Sequence, residues 1–345
     1  MKHMKQPNLI FRGTAALGVV LLVSACGSGV ATTPEKPGTT GGDYEPVTVE
    51  NCGRTLDFSE APSAVVGMSP SQTGLMLRLG LGDLLVGQAQ TDTSDLPADI
   101  AADAEDIPVL SDDAPPTREI LLGAEPDFVY SPTGYEFTAE QGFASIEQLE
   151  QAGVGAYTAT GGCLERRNVG TVDDIFIDIE NLGKIFAVPG AAAELAAQGQ
   201  EDLDEVAEAI DGLQKLTVAQ VFVEGTSLSA IGAGIEYDMI QTAGGDNVFS
   251  PEDPAFADFF AASISPEALA EENPDAVVFA VTGPEQETAT IEYLRETFPD
   301  MAAVKNDRLI SLSASDTFPG TLGNIDAVRQ IAEGLYPDAF TGGRD

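Results

Sequence analysis

The sequence predicts an α/β protein of two Rossmann-like lobes, each built on a parallel sheet, joined by a single long helix with a cleft between them. Three observations predict it. Short apolar runs bounded by turn residues alternate with amphipathic stretches from about residue 47 to 340. A strand-free helical region at 171–212 interrupts that alternation midway. The layout of "TREILLGAEPDFVY" (117–130) returns as "SPEALAEENPDAVV" (265–278), with Thr117 and Ser265 148 positions apart. A stretch of about 300 residues also exceeds one ordinary core and suits two domains.

Taken in order, the chain begins with Lys2, Lys5 and Arg12 ahead of an apolar run from Gly13 to Val23. That run is too short to span a bilayer and suits the core of a secretory signal. It ends in "VSAC", where an aliphatic residue three before Cys26 and two small residues resemble the lipobox at which bacterial lipoproteins are cleaved and acylated. Residues 1–25 are therefore read as a lipoprotein signal. Cys26 becomes the lipidated first residue, and 26–46 a polar Gly/Pro/Thr-rich tether. The expected location is the cell membrane, lipid-anchored on its extracytoplasmic face.

The first lobe, 47–170, has strands at "AVVGM" (64–68), "LLVGQ" (84–88), "DFVYS" (127–131) and "VGAYTAT" (154–160), with helices at "SQTGLMLRLG" and "SIEQLEQAG". In the connection, 171–212, Pro189 separates a helix from Val172 to about Phe186 from a longer one over Gly190 to Ile210. The second lobe, 213–345, has strands at "TVAQVFVE" (217–224), "AVVFAV" (276–281) and "RLISLS" (308–313), and closes with "GNIDAVRQIAEGLY". In the repeated segment Thr117 and Ser265 are good N-caps, Pro266 suits the first helical position, and Pro126 and Pro274 end each helix and lead into a strand. Glu119 and Glu267 thus stand in the opening turns of matched helices. Since the strands that follow run toward the cleft, each carboxylate is expected at the outer end of its lobe.

Composition excludes several classes. Against 56 acidic residues stand 16 basic ones, a net charge of −40, so nucleic acid and anionic membrane surfaces are repelled. The excess is spread along the whole chain, as on a solvated acidic surface. The one histidine, His3, lies in the signal, which leaves the mature chain without His-ligated Zn, Mn or Fe and without Ser-His-Asp or Cys-His catalysis. There is no G-x-S-x-G, P-loop, C-x-x-C or complete G-x-G-x-x-G motif. Outside the cytoplasm the isolated pair Cys52 and Cys163 is expected to be bridged, two buried thiols being the alternative.

The stretches "SPSQTGLMLRLGLGDLLVG", "TREILLGAEPDFVY", "DIFIDIENLGKIFAV", "IQTAGGDNVF", "ISPEALAEENPDAVV" and "DTFPGTLGNIDAVRQIAEGLYPDAF" stand in an order and spacing that resemble one family. It is the siderophore, haem and cobalamin class of ABC-importer substrate-binding lipoproteins, and the resemblance covers residues 47–340. It implies that Glu119 and Glu267 dock the two lobes onto arginines of a dimeric membrane permease. It also implies a small-molecule ligand in the cleft, no catalytic residues, no cofactor bound directly by the protein, and a monomer. Many relatives have a glutamate where this chain has Gly74.

In open α/β lobes, ligands meet the loops at the carboxyl ends of strands. The candidates are Ser69, Ser71, Gln90, Thr91, Tyr130, Tyr135, Phe137, Arg166 and Arg167 from the first lobe, with Glu224, Tyr237, Thr282, Ser313, Asp316, Thr317 and Phe318 from the second. Tyrosine rings with hydroxyl donors, and an arginine fork on hydroxamate, catecholate or carboxylate oxygens, would suit a wrapped ferric chelate. With no tryptophan and no mature histidine, an Fe(III)-siderophore ranks first, cobalamin second and haem third. The alternative of another class is a glycoside hydrolase using two of the many carboxylates.

Overall fold

The computed structural model describes residues 44–341; the signal segment, Cys26 and nearly all of the tether lie outside the described residues. It opens with an antiparallel hairpin of β1 (Val47–Asn51) and β2 (Arg54–Phe58), which the sequence pattern did not suggest. β3 (Val65–Gly67), α1 (Pro70–Arg78), β4 (Leu85–Ala89), β5 (Val109–Ser111), α2 (Arg118–Gly123), β6 (Phe128–Ser131), α3 (Ile146–Gln151) and β7 (Gly155–Thr158) follow. Their five strands form a wholly parallel sheet in the order β5-β4-β3-β6-β7. The inner strands read as unbroken apolar runs because both of their faces are covered.

Two helices then cross the molecule: α4 (Asp174–Ile185) and α5 (Pro189–Ile210), whose 22 residues extend about 33 Å. They touch closely at Gly183, where any side chain would run into Ala192, and a side chain at Gly199 would meet Ile325 and Phe176. The second lobe has β8 (Leu216–Glu224), β9 (Ser227–Ile231), α6 (Gly234–Thr242), β10 (Gly245–Asn247), β11 (Ala261–Ser263), α7 (Pro266–Glu272), β12 (Ala276–Val281), α8 (Pro284–Thr297), α9 (Ala302–Lys305), β13 (Leu309–Ser313), α10 (Ala314–Thr317) and α11 (Gly323–Leu335). Its sheet, β11-β9-β8-β12-β13 with β10 also on β8, is mixed rather than parallel. After Glu224 the chain turns at Gly225, φ +60°, and returns antiparallel as β9, which β11 then joins.

The largest apolar cluster runs from Val65 and Phe128 through Ile179, Leu182 and Val206 to Val218, Ile240 and Ile331, so the lobes share a core along the helical side. Smaller clusters lie behind each sheet.

The repeated segment now has a structural explanation in almost every position. Thr117 and Ser265 cap their helices by accepting from Ile120 N and Ala268 N. Glu125 and Asn273, each just before the proline, both adopt left-handed backbone at φ +51° and +45°. Asp127 accepts from the backbone of Ser63 and Ala64, and Asp275 from the backbone and hydroxyl of Thr217, so each aspartate clips the start of the neighbouring strand. The glutamates stand in the opening turns, Glu119 exposed beside Arg118 and Glu267 bonded back to Ser265.

Cys52, in the β1–β2 turn, is bonded to Cys163, just beyond β7, with Cα atoms 5.2 Å apart across 111 residues of sequence. Behind β7, Asp178 of α4 is fully buried and accepts from Tyr157 Oη at 2.8 Å and from Thr160 Oγ1 at 2.6 Å. Burial raises its carboxyl from the ordinary 3.8 to about 7. A folded-state pKa above the unfolded one favours the native state below about pH 4, and that contribution is lost as pH rises through about 7. Both bonds meet Oδ1, which an amide can reproduce. In urea titrations, Asp178→Asn should therefore remove about 1–3 kcal/mol of the stability change between pH 5 and 8. Identical pH slopes for the two proteins would show that this carboxyl is not the source.

Candidate functional site: the interlobe cleft

The carboxyl ends of β3, β4, β6 and β7 face the carboxyl end of β13 and the residues after it, and the two lobes meet there through directed hydrogen bonds. Ser71 Oγ donates to Ser315 O at 2.9 Å, Gln72 Nε2 to Pro319 O at 2.9 Å, and Tyr130 Oη to Gly320 O at 3.0 Å. Ser315 N donates to Ser94 Oγ at 3.1 Å. Ser313 Oγ lies beside both Ser94 and Ser315.

Several predicted ligand residues belong to this seam. Tyr130 is fully buried, and burial together with nearby Asp178 holds its hydroxyl neutral, so it is a strut between the lobes rather than a ligand-facing ring. Ser69 is buried and donates to Gln72 Oε1. Ser71 is spent on Ser315, and Phe137 packs in the apolar cluster behind the sheet. Asp316 is also diverted. It lies beside a small cavity that Gly74, Arg78 and Asp326 also line, and burial, then Asp326, raises its carboxyl to about 6. A glutamate in place of Gly74 would add a third carboxylate there, a physical reason for the glycine. Thr282 donates both its N–H and its hydroxyl to Gln286 Oε1 at the start of α8, and Glu224 is exposed at the β8–β9 turn.

What remains at the cleft is a smaller set. Gln90, in left-handed backbone at φ +58°, donates to Met68 O, tying the end of β4 to the end of β3, and half-buried Thr91 follows it. Tyr135 is 56% exposed, with its ring edge-on to Phe143 at 5.7 Å. Across the cleft, Thr317 and Phe318 are half-buried after β13. Tyr237 of α6 is half-buried, its hydroxyl pKa raised by burial and by Asp246 and Glu252.

Sequence reasoning missed Glu136. It is buried in the loop after β6, and its Oε2 accepts from Ser131 Oγ at 3.1 Å and Thr133 Oγ1 at 2.6 Å. Burial raises its pKa, and the Ser131, Thr133 and Gln90 side chains oppose that shift. Nothing in "TGYEF" marks one acid of an acidic chain as buried.

Both arginines are engaged by carboxylates. Arg166 sets Nε and Nη2 on the two oxygens of buried Asp174. Arg167 makes a two-pronged pair with buried Glu236, at 2.9 and 2.6 Å, and its guanidinium lies 3.5 Å above the Phe260 ring. Asn168 donates to Phe256 O and Ala257 O, and Gly234 N donates to Asn168 O. Residues 163–170 therefore form a strap from the first lobe, beginning at the disulfide, that grips the second. Arg167→Ala would leave Glu236 as an unmatched buried charge, and thermal unfolding should report a loss of about 3 kcal/mol. A loss below about 1 kcal/mol would mean that solvent replaces the guanidinium.

The matched glutamates are not at the outer ends of the lobes. A helix preceding a parallel strand runs antiparallel to it, so its start lies toward that strand's carboxyl end. Arg118 N donates to Gly142 O in the region beyond β6, and Glu119 borders an open depression of about 290 Å3 with Gly142 and Phe143. Ile264 N, just before α7, donates to Leu228 O beside the β8–β9 turn. Both carboxylates thus sit at the cleft edge of their sheets: Glu119 is 85% exposed, 4.0 Å from Arg118, and Glu267 is held below its usual pKa by backbone and Ser265 hydrogen bonds.

Among the described residues the one cluster of metal-ligand types is Cys52, Cys163 and Glu165, whose two sulfurs are bonded to each other. No described helix is long and apolar enough to cross a membrane. A family model described as periplasmic binding protein matches residues 65–315. An uncharacterised ABC transporter substrate-binding lipoprotein of Bacillus subtilis (strain 168), YvrC, is 24% identical over 303 residues, 86% of this chain and 87% of that protein. A solved periplasmic binding protein from Veillonella parvula DSM 2008 superposes with a TM-score of 0.73 at 24% identity, over 85% of this chain and 98% of its own. A solved chain of an ABC-type Fe3+-hydroxamate transport system from Saccharomonospora viridis DSM 43017 gives 0.68 at 22%, over 84% and 98%. At these identities the solved structures speak for the fold alone.

Proposed function

Since the chain belongs to the periplasmic binding protein family, solute-binding components of ABC transporters and not enzymes, we propose that it captures a ferric siderophore in the interlobe cleft and delivers it to a permease. The observation that carries this reading is the cleft itself. Strand ends from two lobes meet there, and Gln90, Tyr135, Thr317 and Phe318, which follow those strands with partly or largely exposed side chains, supply ring faces and polar groups suited to an oxygen-rich chelate. The iron in this reading is cargo, held by its chelator. In the same reading Cys26 carries the lipid that keeps the protein, as a monomer, on the extracytoplasmic face, and Glu119 and Glu267 meet the permease.

The test is a thermal-shift panel of ferric hydroxamates, ferric catecholates, ferric citrate, haem and cobalamin. A true ligand at about 100 times its dissociation constant adds about 2.7 kcal/mol of stability. Stabilisation by cobalamin alone, with none from any ferric chelate, would replace this ligand with the second one.

A further inference from the structure

Charge decides which chelate the cleft can take. Among the described residues the basic side chains nearest the cleft are Arg166 and Arg167, each of which already has both oxygens of a buried carboxylate, and Arg78, which lines the small cavity between the lobes and is paired with Asp99. Arg167 is further covered on one face by Phe260. Arg118 stands at the rim beside Glu119, while Lys215 and Arg308 lie at the starts of β8 and β13, on the edge away from the cleft. Little positive charge is left to receive an anion.

Buried beneath the loop after β6, beside Gln90, lies Glu136, 4% exposed, which receives hydroxyl hydrogen bonds from Ser131 and Thr133 and stands in no ion pair. Ionised or not, it adds no positive charge beneath the cleft. Beside it the surface is apolar. Tyr135 is 56% exposed, and Leu164, Val169 and Phe259 are 90%, 62% and 56% exposed. They form one neighbourhood, because Gly162 packs against Pro132 and Thr133, ahead of Tyr135, while the strap between Leu164 and Val169 is bonded to Phe256, Ala257 and Phe260. Exposed apolar surface gathered at a cleft is a recognition surface for a ligand with an apolar face. Around all of this lies a chain of net charge −40, whose field opposes the approach of anions.

We infer that the cleft selects ferric chelates by charge, taking neutral or cationic trihydroxamates that carry an apolar face and rejecting anionic triscatecholates and ferric citrate. This rests on the reading of the ligand as a ferric chelate and narrows it. An anionic chelate would have to shed its water beside Glu136 with no free guanidinium to receive it, whereas a trihydroxamate leaves at most a positive charge to be balanced.

The test is calorimetric titration of the full chain in detergent with cationic ferrioxamine B, neutral ferrichrome, trianionic ferric enterobactin, ferric citrate and cyanocobalamin. One or both trihydroxamates should bind at least ~100-fold more tightly than either anion. Raising the salt should weaken ferrioxamine B and leave ferrichrome unchanged. Glu136→Gln should lower the preference for ferrioxamine B over ferrichrome by about tenfold, which needs only about 1.4 kcal/mol. The salt series on the unaltered protein supports or refutes the same point if that variant folds poorly. Ferric enterobactin or ferric citrate binding as tightly as either hydroxamate overturns the charge inference while the ferric-chelate reading stands. Binding of cyanocobalamin alone removes the ferric-chelate reading, and the trihydroxamate with it.

Discussion

Cells that depend on this protein for uptake should lose at least about tenfold of their transport when Glu119→Lys and Glu267→Lys are combined, while ligand affinity and folding stay nearly intact. Every other matched position of the repeated segment serves the fold, through the caps at Thr117 and Ser265, the left-handed residues at Glu125 and Asn273, and the strand clips at Asp127 and Asp275. The two carboxylates instead stand in solvent at the cleft edge of their lobes, one per lobe, as a docking surface for a two-fold permease would require. Exposed charges of this kind govern encounter and register more than affinity, and the helix-dipole interaction they give up is small and screened by salt. Each single variant should be impaired, and arginine-to-glutamate changes on the permease should partly restore the lysine variants. Transport at the wild-type rate by the double variant would reduce the glutamates to helix ornaments. Loss of binding in solution would move them into the ligand site, a real alternative now that the structure puts them beside the cleft rather than at the far ends.

How far the sequence could be read depended on whether its signal was local. β6 and β12 were legible because strands covered on both faces read as near-continuous apolar runs, β8 because most of it is apolar, β13 because its apolar residues alternate with serines, and α5 because Pro189 marks its start. β9 was not, since "SLSAI" carries two serines and needs β8 beside it to become a strand. The partners that occupy several of the ligand candidates were hidden for the same reason. Tyr130 stands at the carboxyl end of a strand, as expected, but its side chain points into the seam, where Gly320 accepts its hydroxyl from 190 positions away. Arg166 and Arg167 look free in "CLERRN". Their partners are Asp174, eight positions on, and Glu236, sixty-nine positions on, and only the folded chain brings the second into reach. The repeated segment was recognisable because helix caps, prolines and clipping aspartates act within a few residues.

Replacing the bridge, Cys52→Ser with Cys163→Ser, should lower the stability of the domain by about 4–5 kcal/mol, read as a fall of roughly 10 °C in Tm. Two causes compete for that figure. Releasing a loop closed across 111 residues restores conformational freedom to the unfolded chain, which alone accounts for about 4–5 kcal/mol in the chain-entropy model. The bridge also anchors the first residue of the strap, so its loss could loosen the grip of Arg167 and Asn168 on the second lobe. The strap has other anchors: Arg166 remains on Asp174, Gly162 remains packed against Pro132, and Gly234 remains bonded to Asn168. The unfolded-state cause should therefore dominate. In that case the serine pair and Arg167→Ala will add nearly independently, because one acts on the unfolded chain and the other on a buried charge. A triple variant little worse than the serine pair alone would show the opposite: the strap would already have let go when the bridge was removed, and the disulfide would be holding the lobes together rather than merely shortening the unfolded chain's leash.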